Sequence, residues 1–499
     1  MHKRTLVLGL TVVLTAGALT SCGNSGSSTA PNPGQGTLYT FIGDQPACNA
    51  ISFRITLTGL TLSRSGSTIE TAVLNPSSDS IRVNFGDLRD SVTFLGVGSA
   101  YENSYERANL RISAPTLVVY DPTLSPPVKI IPAKISNNAP TFSIMPPLTV
   151  TKGKVNAVQI DFDMLRSLGL DSQGNLTPNV NPVLTATPLT ATSTEPFIRL
   201  DDLVGFVRSV SPSSTTAGFT GGFLLQMLSS SLPQGPTANV NLTSETQMYG
   251  VSSLPDLQTD SFVEVNGYVD SNGNLVADDV EVEFQEDPLN NKVAMIGPIV
   301  SLLKDASGNL TGFNLWVRGI EPGGLALGGM EDNIVQVNLS STTAYQYSSR
   351  RANFAGLSFG PTALAAGQEV IVHGPYTRTT TPSGPATTTT TTVAAYKVYL
   401  KLQTLQGNFA TLVQAGSDDK TGAFQLAPCC TLLQGAPVLV LTNYQTRFLN
   451  VTGLGALTAQ PTLLIKGLPF YEPSGGAING VTVPPGTLVV LAKQVHRLQ

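Results

Sequence analysis

The chain has 499 residues, of which 41% are apolar and only 12% charged, with a formal net charge of −5. That length and apolar content allow several buried cores, about three or four domains, while the polar surface must come mainly from Ser, Thr, Asn and Gln. No basic stripe is available to displace counterions from phosphates, so nucleic acid is not an expected partner.

Lys3 and Arg4 make a positive start, and Leu6 to Ala18 form an apolar run of signal-peptide length. The run is too short to span a bilayer comfortably. The residues Leu19-Thr20-Ser21-Cys22 resemble the lipobox read by bacterial lipoprotein signal peptidase. That resemblance implies removal of residues 1–21, acylation of Cys22 (palmitate included) and a membrane partner reached through the lipid. Each buried methylene contributes about 0.8 kcal/mol, so several acyl chains give a stable anchor. The plainer reading is a secretory signal with a cysteine near its cleavage site. Gly23, rather than Asp, follows the cysteine, a pattern resembling outer-membrane over inner-membrane sorting in two-membrane bacteria. Losing Lys3 and Arg4 leaves 26 basic against 33 acidic residues, a net charge of −7, so lipid rather than electrostatics must supply the membrane contact. Residues 22–37, rich in Gly, Ser, Pro and Asn, are expected to form a disordered tether.

Residues 38–195 read as short alternating strands broken by Pro, Gly, Asn and Ser, among them Ile51–Leu57, Leu110–Ile112 and Thr116–Tyr120. A short helix is expected over Asp163–Gly169, with Asp163 as N-cap and Gly169 as stop, after a strand Val158–Phe162. Turns at this spacing predict a β-sandwich.

From Pro196 onward the sequence repeats. Three units open with a glycine inside an apolar strand, at Gly205, Gly297 and Gly407, 92 and then 110 residues apart. Each continues through a glycine-led strand at Gly222, Gly312 and Gly422, then a β-rich stretch ending at Thr246, Thr343 and Thr446. The sharpest register precedes a second glycine. Val263, Val370 and Leu463 lie four residues before Gly267, Gly374 and Gly467, and Val265, Val372 and Ile465 lie two before. Asn266, His373 and Lys466 lie one before, and the alternation predicts that this polar column faces water. Closing strands are expected at Leu275–Glu283, Val393–Leu402 and Leu488–Leu498. Five strands per unit predict a small, partly open barrel of OB-like shape. The fold class is therefore all-β: an N-terminal β-sandwich followed by three tandem OB-like β-barrel modules over 196–290, 291–403 and 404–499. The middle unit carries insertions at Ser348–Thr362 and Thr377–Thr392. The second is a Thr/Pro-rich tract expected to be an exposed hairpin, with mucin-like glycosylation as a minor alternative.

Residues 38–190 resemble a bacterial lipoprotein family known as domain of unknown function 4382, through Gly43-Asp44-Gln45-Pro46, Leu60-Thr61-Leu62, Val83-Asn84-Phe85-Gly86-Asp87-Leu88 and Val158–Phe162. At the first of these, Asp-Gln-Pro stands where that family has Asp-Ala-Pro. The three later units are similar to the domain of unknown function 5666, a small β-barrel found in tandem in envelope proteins. Neither resemblance brings catalytic residues.

Candidates for chemistry are few. Beyond Cys22 the cysteines are Cys48, Cys429 and Cys430; three thiols cannot all pair within one chain. The adjacent pair Cys429 and Cys430 is the candidate disulfide, against the strain of so small a ring, and a bridge from Cys48 would need distant domains to meet. Two histidines remain after signal removal, His373 and His496, which excludes a multi-histidine zinc site and leaves little for a Ser-His-Asp triad. No nucleophile elbow, zincin, P-loop or dinucleotide motif is present. Asp279, Glu281 and Glu283 alternate on one strand face and are weak Ca²⁺ candidates; a solvated acidic face is favoured. Asp270–Asn274 has its glycine at position four rather than six, so a type I′ hairpin at Asn272-Gly273 is expected instead of a calcium loop. Asp161 and Asp163 read as strand end plus N-cap, and Trp316 as a core or interface aromatic.

The function expected from these features is a lipid-anchored bacterial envelope protein, a non-enzymatic binding or structural scaffold with no cofactor and an envelope polysaccharide or protein as partner. A carbohydrate-binding role is the alternative, and a carboxylate-based glycoside hydrolase the remoter one.

Overall fold

The computed structural model describes residues 34–499 except 46–49, 65, 68, 75–80, 87, 89–91, 193, 228–236, 285–291, 322–332, 348–357, 384–385, 417, 430, 434–437, 458–460 and 499. The signal segment, Cys22, Cys48, Cys430, most of the Ser348–Thr362 insertion and the side chain of Glu283 lie outside the described residues.

Two sheets, continuous with one another, make the body of the N-terminal domain, and a small third sheet pairs Leu176–Val180 with Leu168–Leu170 and Lys134–Ile135. In one, Ala50–Ser63 pairs with Asn103–Tyr120, which pairs with Thr141–Val150. In the other, Gln35–Gln45 lies between Val92–Tyr101 and, in parallel, Val155–Asp163. Thr141–Val150 joins the sheets by meeting Leu184–Leu189. Phe53, Phe85 and Phe162 stack between them with centroids 4.6 to 5.8 Å apart, fully buried. The sandwich stands, but with parallel pairings that local alternation does not reveal. The first strand starts at Gln35, inside the segment read as tether. Leu110–Ile112 and Thr116–Tyr120 belong to one long strand, interrupted at Ala114 with φ +46°.

Asp163 caps the helix as expected, its Oδ1 accepting from Arg166 N at 2.9 Å. The helix is a single turn, Met164–Ser167, and Gly169 is not its stop. Leu168–Leu170 instead turns into a strand paired with Leu176–Val180, which supplies partners that another helical turn would lose.

The three C-terminal modules share one strand plan. In the first, Ile198–Ser211 pairs with Gly221–Met227 on one side and Phe262–Val269 on the other; Gly221–Met227 continues to Thr237–Leu242. The last strand, Leu275–Phe284, pairs antiparallel with Phe262–Val269 and parallel with Thr237–Leu242, closing the sheet into a barrel. The third module repeats this with Gln403–Ala415, Gly422–Pro428, Val438–Thr442, Thr462–Glu472 and Thr487–Arg497. In the middle module the last strand is split into Ala386–Ala394 and Lys397–Leu400, and the Thr-rich tract extends its hairpin with Glu369–Ser383. These are small closed barrels of OB-like form with five principal strands, and in each a further short strand (Gln247–Tyr249, Ala344–Tyr347, Arg447–Leu449) pairs parallel to the last.

Equivalent residues occupy equivalent places. The opening glycines sit opposite the first register residue: Gly205 to Val263, Gly297 to Val370, Gly407 to Leu463. A Cβ on Gly267, Gly374 or Gly467 would fall 2.1 to 2.3 Å from the carbonyl of Val276, Ala394 or Leu491, so the last strand can close in only over glycine. Thr246, Thr343 and Thr446 donate to the carbonyls of Ala277, Ala395 and Ala492 at 2.7, 2.7 and 2.9 Å. Each also accepts at 2.9 Å from the backbone N of the residue three before it.

The inward residues Val265, Val372 and Ile465 are fully buried, as the register requires. The polar column is not outward. Asn266, His373 and Lys466 are only 6%, 1% and 4% exposed. The alternation rule places them on the other sheet face correctly, but that face is covered. Asn266 is held by Asp202 and Asp279, His373 by Tyr396, and Lys466 by the first module.

Three hairpins carry one loop, Asp-x-x-Gly-Asn, at Asp171–Asn175, Asp270–Asn274 and Asp305–Asn309. In each, Asp Oδ1 accepts from the backbone N two and four residues on, and Oδ2 from the Asn side chain. The expected type I′ turn at Asn272-Gly273 is incorrect. Only Gly273 has positive φ (+83°), and Gly273 N donates to Asp270 O, a type I turn followed by a left-handed glycine. These hydrogen bonds hold the carboxyls of Asp171 and Asp305 below the usual range.

Replacing Thr446 by Val would orphan the carbonyl of Ala492 and the N–H of Asn443, at a cost of about 1–3 kcal/mol. Urea unfolding should show a loss of the same order for Thr343→Val and a smaller one at the half-buried Thr246. A drop confined to a single site would show that the three turns are not equivalent.

Burial, with help from Asp163, raises the Asp161 carboxyl above its usual range. A raised carboxyl costs stability when ionised, so stability rises as pH falls through the raised value. Asp161→Asn should therefore raise the urea midpoint at neutral pH, and the gain should shrink on acidification. A variant equally destabilised at every pH would contradict this.

Candidate functional site

The four modules meet around a cavity of about 200 Å³. Its wall combines Arg82, Val83, Asn84 and Gly86 of the sandwich with Asp201–Val204 of the first barrel, Arg318, Glu369 and Lys401 of the second, and Gln403–Leu405 and Lys466 of the third. In a chain so poor in charge, seven ionisable side chains line this one interior wall.

Arg318 pins the sandwich to the middle barrel. Its Nη1 donates to Glu369 Oε2 at 2.9 Å, and its Nη2 to the carbonyl of Ile51 at 2.5 Å. Gly86, in the Asn84-Phe85-Gly86 stretch singled out by sequence, makes room for it. A Cβ there would lie 2.9 Å from Ile51 O and 3.2 Å from Arg318 Nη2. The planar fork reaches a carboxylate and a carbonyl at once, which a lysine could not reproduce.

On the opposite side, Lys466 crosses from the third barrel to the first. Its Nζ contacts Asp202 Oδ2 and lies 3.8 Å from Asp201 Oδ2. Asp202 adopts φ +60° at a bulge between Leu200 and Leu203. Its N–H donates to Asn266 Oδ1 at 2.9 Å, while Asn266 Nδ2 donates to Asp279 Oδ1 at 2.7 Å. A polar chain thus runs from Asp279 through Asn266 and Asp202 to Lys466.

The calcium candidates are used differently. Asp279 serves Asn266 within its own barrel, and Glu281 accepts from Tyr399 of the middle barrel at 3.2 Å, so both are half-buried and partnered rather than a solvated acidic face. Among the described residues no group of three His, Cys, Asp or Glu could hold a metal ion. Cys429 is disulfide-bonded, and Cys22, Cys48 and Cys430 lie outside the described residues. Trp316 is fully buried in a cluster with Ile51 and Val118 of the sandwich, an interface aromatic unable to stack on a sugar. His373 meets Tyr396 Oη at 2.9 Å from Nε2, correcting the surface reading, and His496 Nε2 lies 3.1 Å from Asn450 Nδ2. Sequence reasoning missed Arg318, Asp202 and Lys466. The signal for the last was a lysine inside the apolar run Leu463-Leu464-Ile465-Lys466-Gly467-Leu468.

A family profile described as a domain of unknown function (DUF5666) matches residues 236–281, within the first barrel. No curated protein matches. Among solved structures, a deletion mutant of the single-stranded DNA binding protein from Thermus aquaticus aligns at 13% identity over 42% of this chain and 94% of that one. The TM-score is 0.14, too low to carry an argument.

Arg318→Met should cost about 3–5 kcal/mol, the typical loss when one partner of a buried ion pair is removed. Solution scattering should show an enlarged radius of gyration as the sandwich loosens from the barrels. Arg318→Lys should not restore the compact form, and full rescue by lysine would refute the role given to the fork.

Proposed function

We propose that this protein is a bacterial envelope lipoprotein, anchored through acylated Cys22, whose four β modules serve as a non-enzymatic binding or structural scaffold. The observation that carries the reading is the ordered sequence of positive start, apolar run and Leu19-Thr20-Ser21-Cys22. Among the described residues no helix is long and apolar enough to cross a membrane, which is compatible with attachment by lipid. On the same reading the barrels at 291–403 and 404–499 are further copies of the domain matched at 236–281, and the sandwich belongs with domain of unknown function 4382. What supports the copies is the shared strand plan and the three threonine turns.

The scaffold role draws on how the modules pack. One apolar cluster spans the second and third barrels, and another joins the sandwich to the third. Such a body presents its surfaces at fixed relative positions. Radiolabelled palmitate should enter the wild-type protein, and Cys22→Ala should abolish incorporation and release the protein from membranes. Membrane retention of Cys22→Ala without label would overturn the anchor.

A further inference from the structure

We propose that Lys466 and Asp202 condense to an intramolecular amide, a covalent cross-link between the third and first barrels. Three features of the pair carry it. The side chains are 5% and 14% exposed, and Lys466 Nζ, although against Asp202 Oδ2, makes no aligned hydrogen bond in a place where it has no solvent contact. Burial of this kind penalises separated charges, a cost that a neutral amide would remove. A second carboxylate, Asp201, stands 3.8 Å from the same nitrogen.

Adjacent side chains of a regular strand point to opposite faces. Here the left-handed Asp202 and the bulge at Leu200–Leu203 break that alternation, so Asp201 and Asp202 both reach Lys466. Bulges and positive-φ residues cluster where side chains are re-aimed for function. Asn266 holds the geometry by accepting from Asp202 N, which fixes the backbone that presents the carboxyl. Two groups held in contact in one chain react at high effective concentration.

The step is balanced without any further reagent. A proton passes from the Lys466 ammonium to the Asp202 carboxylate, giving amine and acid. The nitrogen lone pair attacks Asp202 Cγ, and Asp201 takes one of the two protons left on nitrogen, the other staying as the amide N–H. Asp201 then delivers that proton to the departing hydroxyl. The C–O bond breaks as the C–N bond is made, and one water leaves into the adjoining cavity.

The test is a tryptic map of the full-length protein, extracted from membranes, denatured and reduced. Trypsin releases Leu200–Arg208 and Phe448–Lys466 from an uncrosslinked chain. The cross-linked chain should lack both. It should yield instead one branched species, Leu200–Arg208 joined to Phe448–Lys493, because acylated Lys466 resists cleavage, lighter than its two parts by one water. Lys466→Arg and Asp201→Asn should each restore linear peptides, and each checks the other if one variant folds poorly. Full recovery of the linear peptides from wild type would overturn the proposal and leave an ion pair. A branched peptide surviving in Asp201→Asn would overturn the part assigned to Asp201.

Discussion

An open sheet carries two rows of unpaired backbone groups, and removing those edges is the constraint on which the C-terminal half of this protein rests. In each barrel one strand, the last, meets both remaining edges, antiparallel on one side and parallel on the other. Such double pairing needs close approach, and the glycine one residue beyond the polar column supplies it. The buried threonine beside the turn then satisfies a carbonyl of the closing strand that the parallel pairing leaves over. Valine, leucine and isoleucine fill the interior because closure has made an interior. The core follows from the edges.

Closure also explains how so few charges suffice. With internal edges satisfied, each barrel is a smooth apolar-walled unit that packs against its neighbours. The charged groups are then concentrated where modules meet: Arg318 between the sandwich and the second barrel, Lys466 between the third barrel and the first. A buried ion pair contributes less stability than its Coulomb energy implies, but removing one partner is costly, so such pairs specify which surfaces meet. Apolar contact provides the adhesion, and the charges provide the alignment.

The strand periodicity, the three-fold repeat, the Asp163 cap and the burial of Trp316 were legible in the chain because each depends on local spacing. The placement of Asn266, His373 and Lys466 was not. Alternation identifies two faces of a strand; it does not reveal whether the second face meets water or another part of the fold. Lys466 meets a carboxylate pair more than 260 positions earlier in the chain, and no window of sequence contains both. The parallel pairings were hidden for the same reason. The hairpin loops were half legible: Asp270 and Gly273 marked a turn, but the Asp side chain satisfies successive N–H groups and selects a type I turn where Asn-Gly alone pointed to its mirror image. The reach of Arg318 into the sandwich was invisible because the group it meets there is a backbone carbonyl, which every residue possesses.

The connection between the fourth and last strands differs in length in all three barrels while the barrels stay closed. It is a tight five-residue loop in the first, a long Thr-rich hairpin in the second, and a small hairpin of Gly476–Ile478 and Val481–Val483 in the third. Closure is fixed by residues below this point, so the length above it can vary; in the first and third barrels that chain packs on its neighbours, Gly273 against Tyr39 and Ile478, Val481 and Val483 in the core shared with the second barrel. The Thr-rich hairpin of the second barrel, exposed from Thr377 to Thr380, is therefore a natural grafting port, where a foreign peptide could be displayed without redesigning what lies beneath.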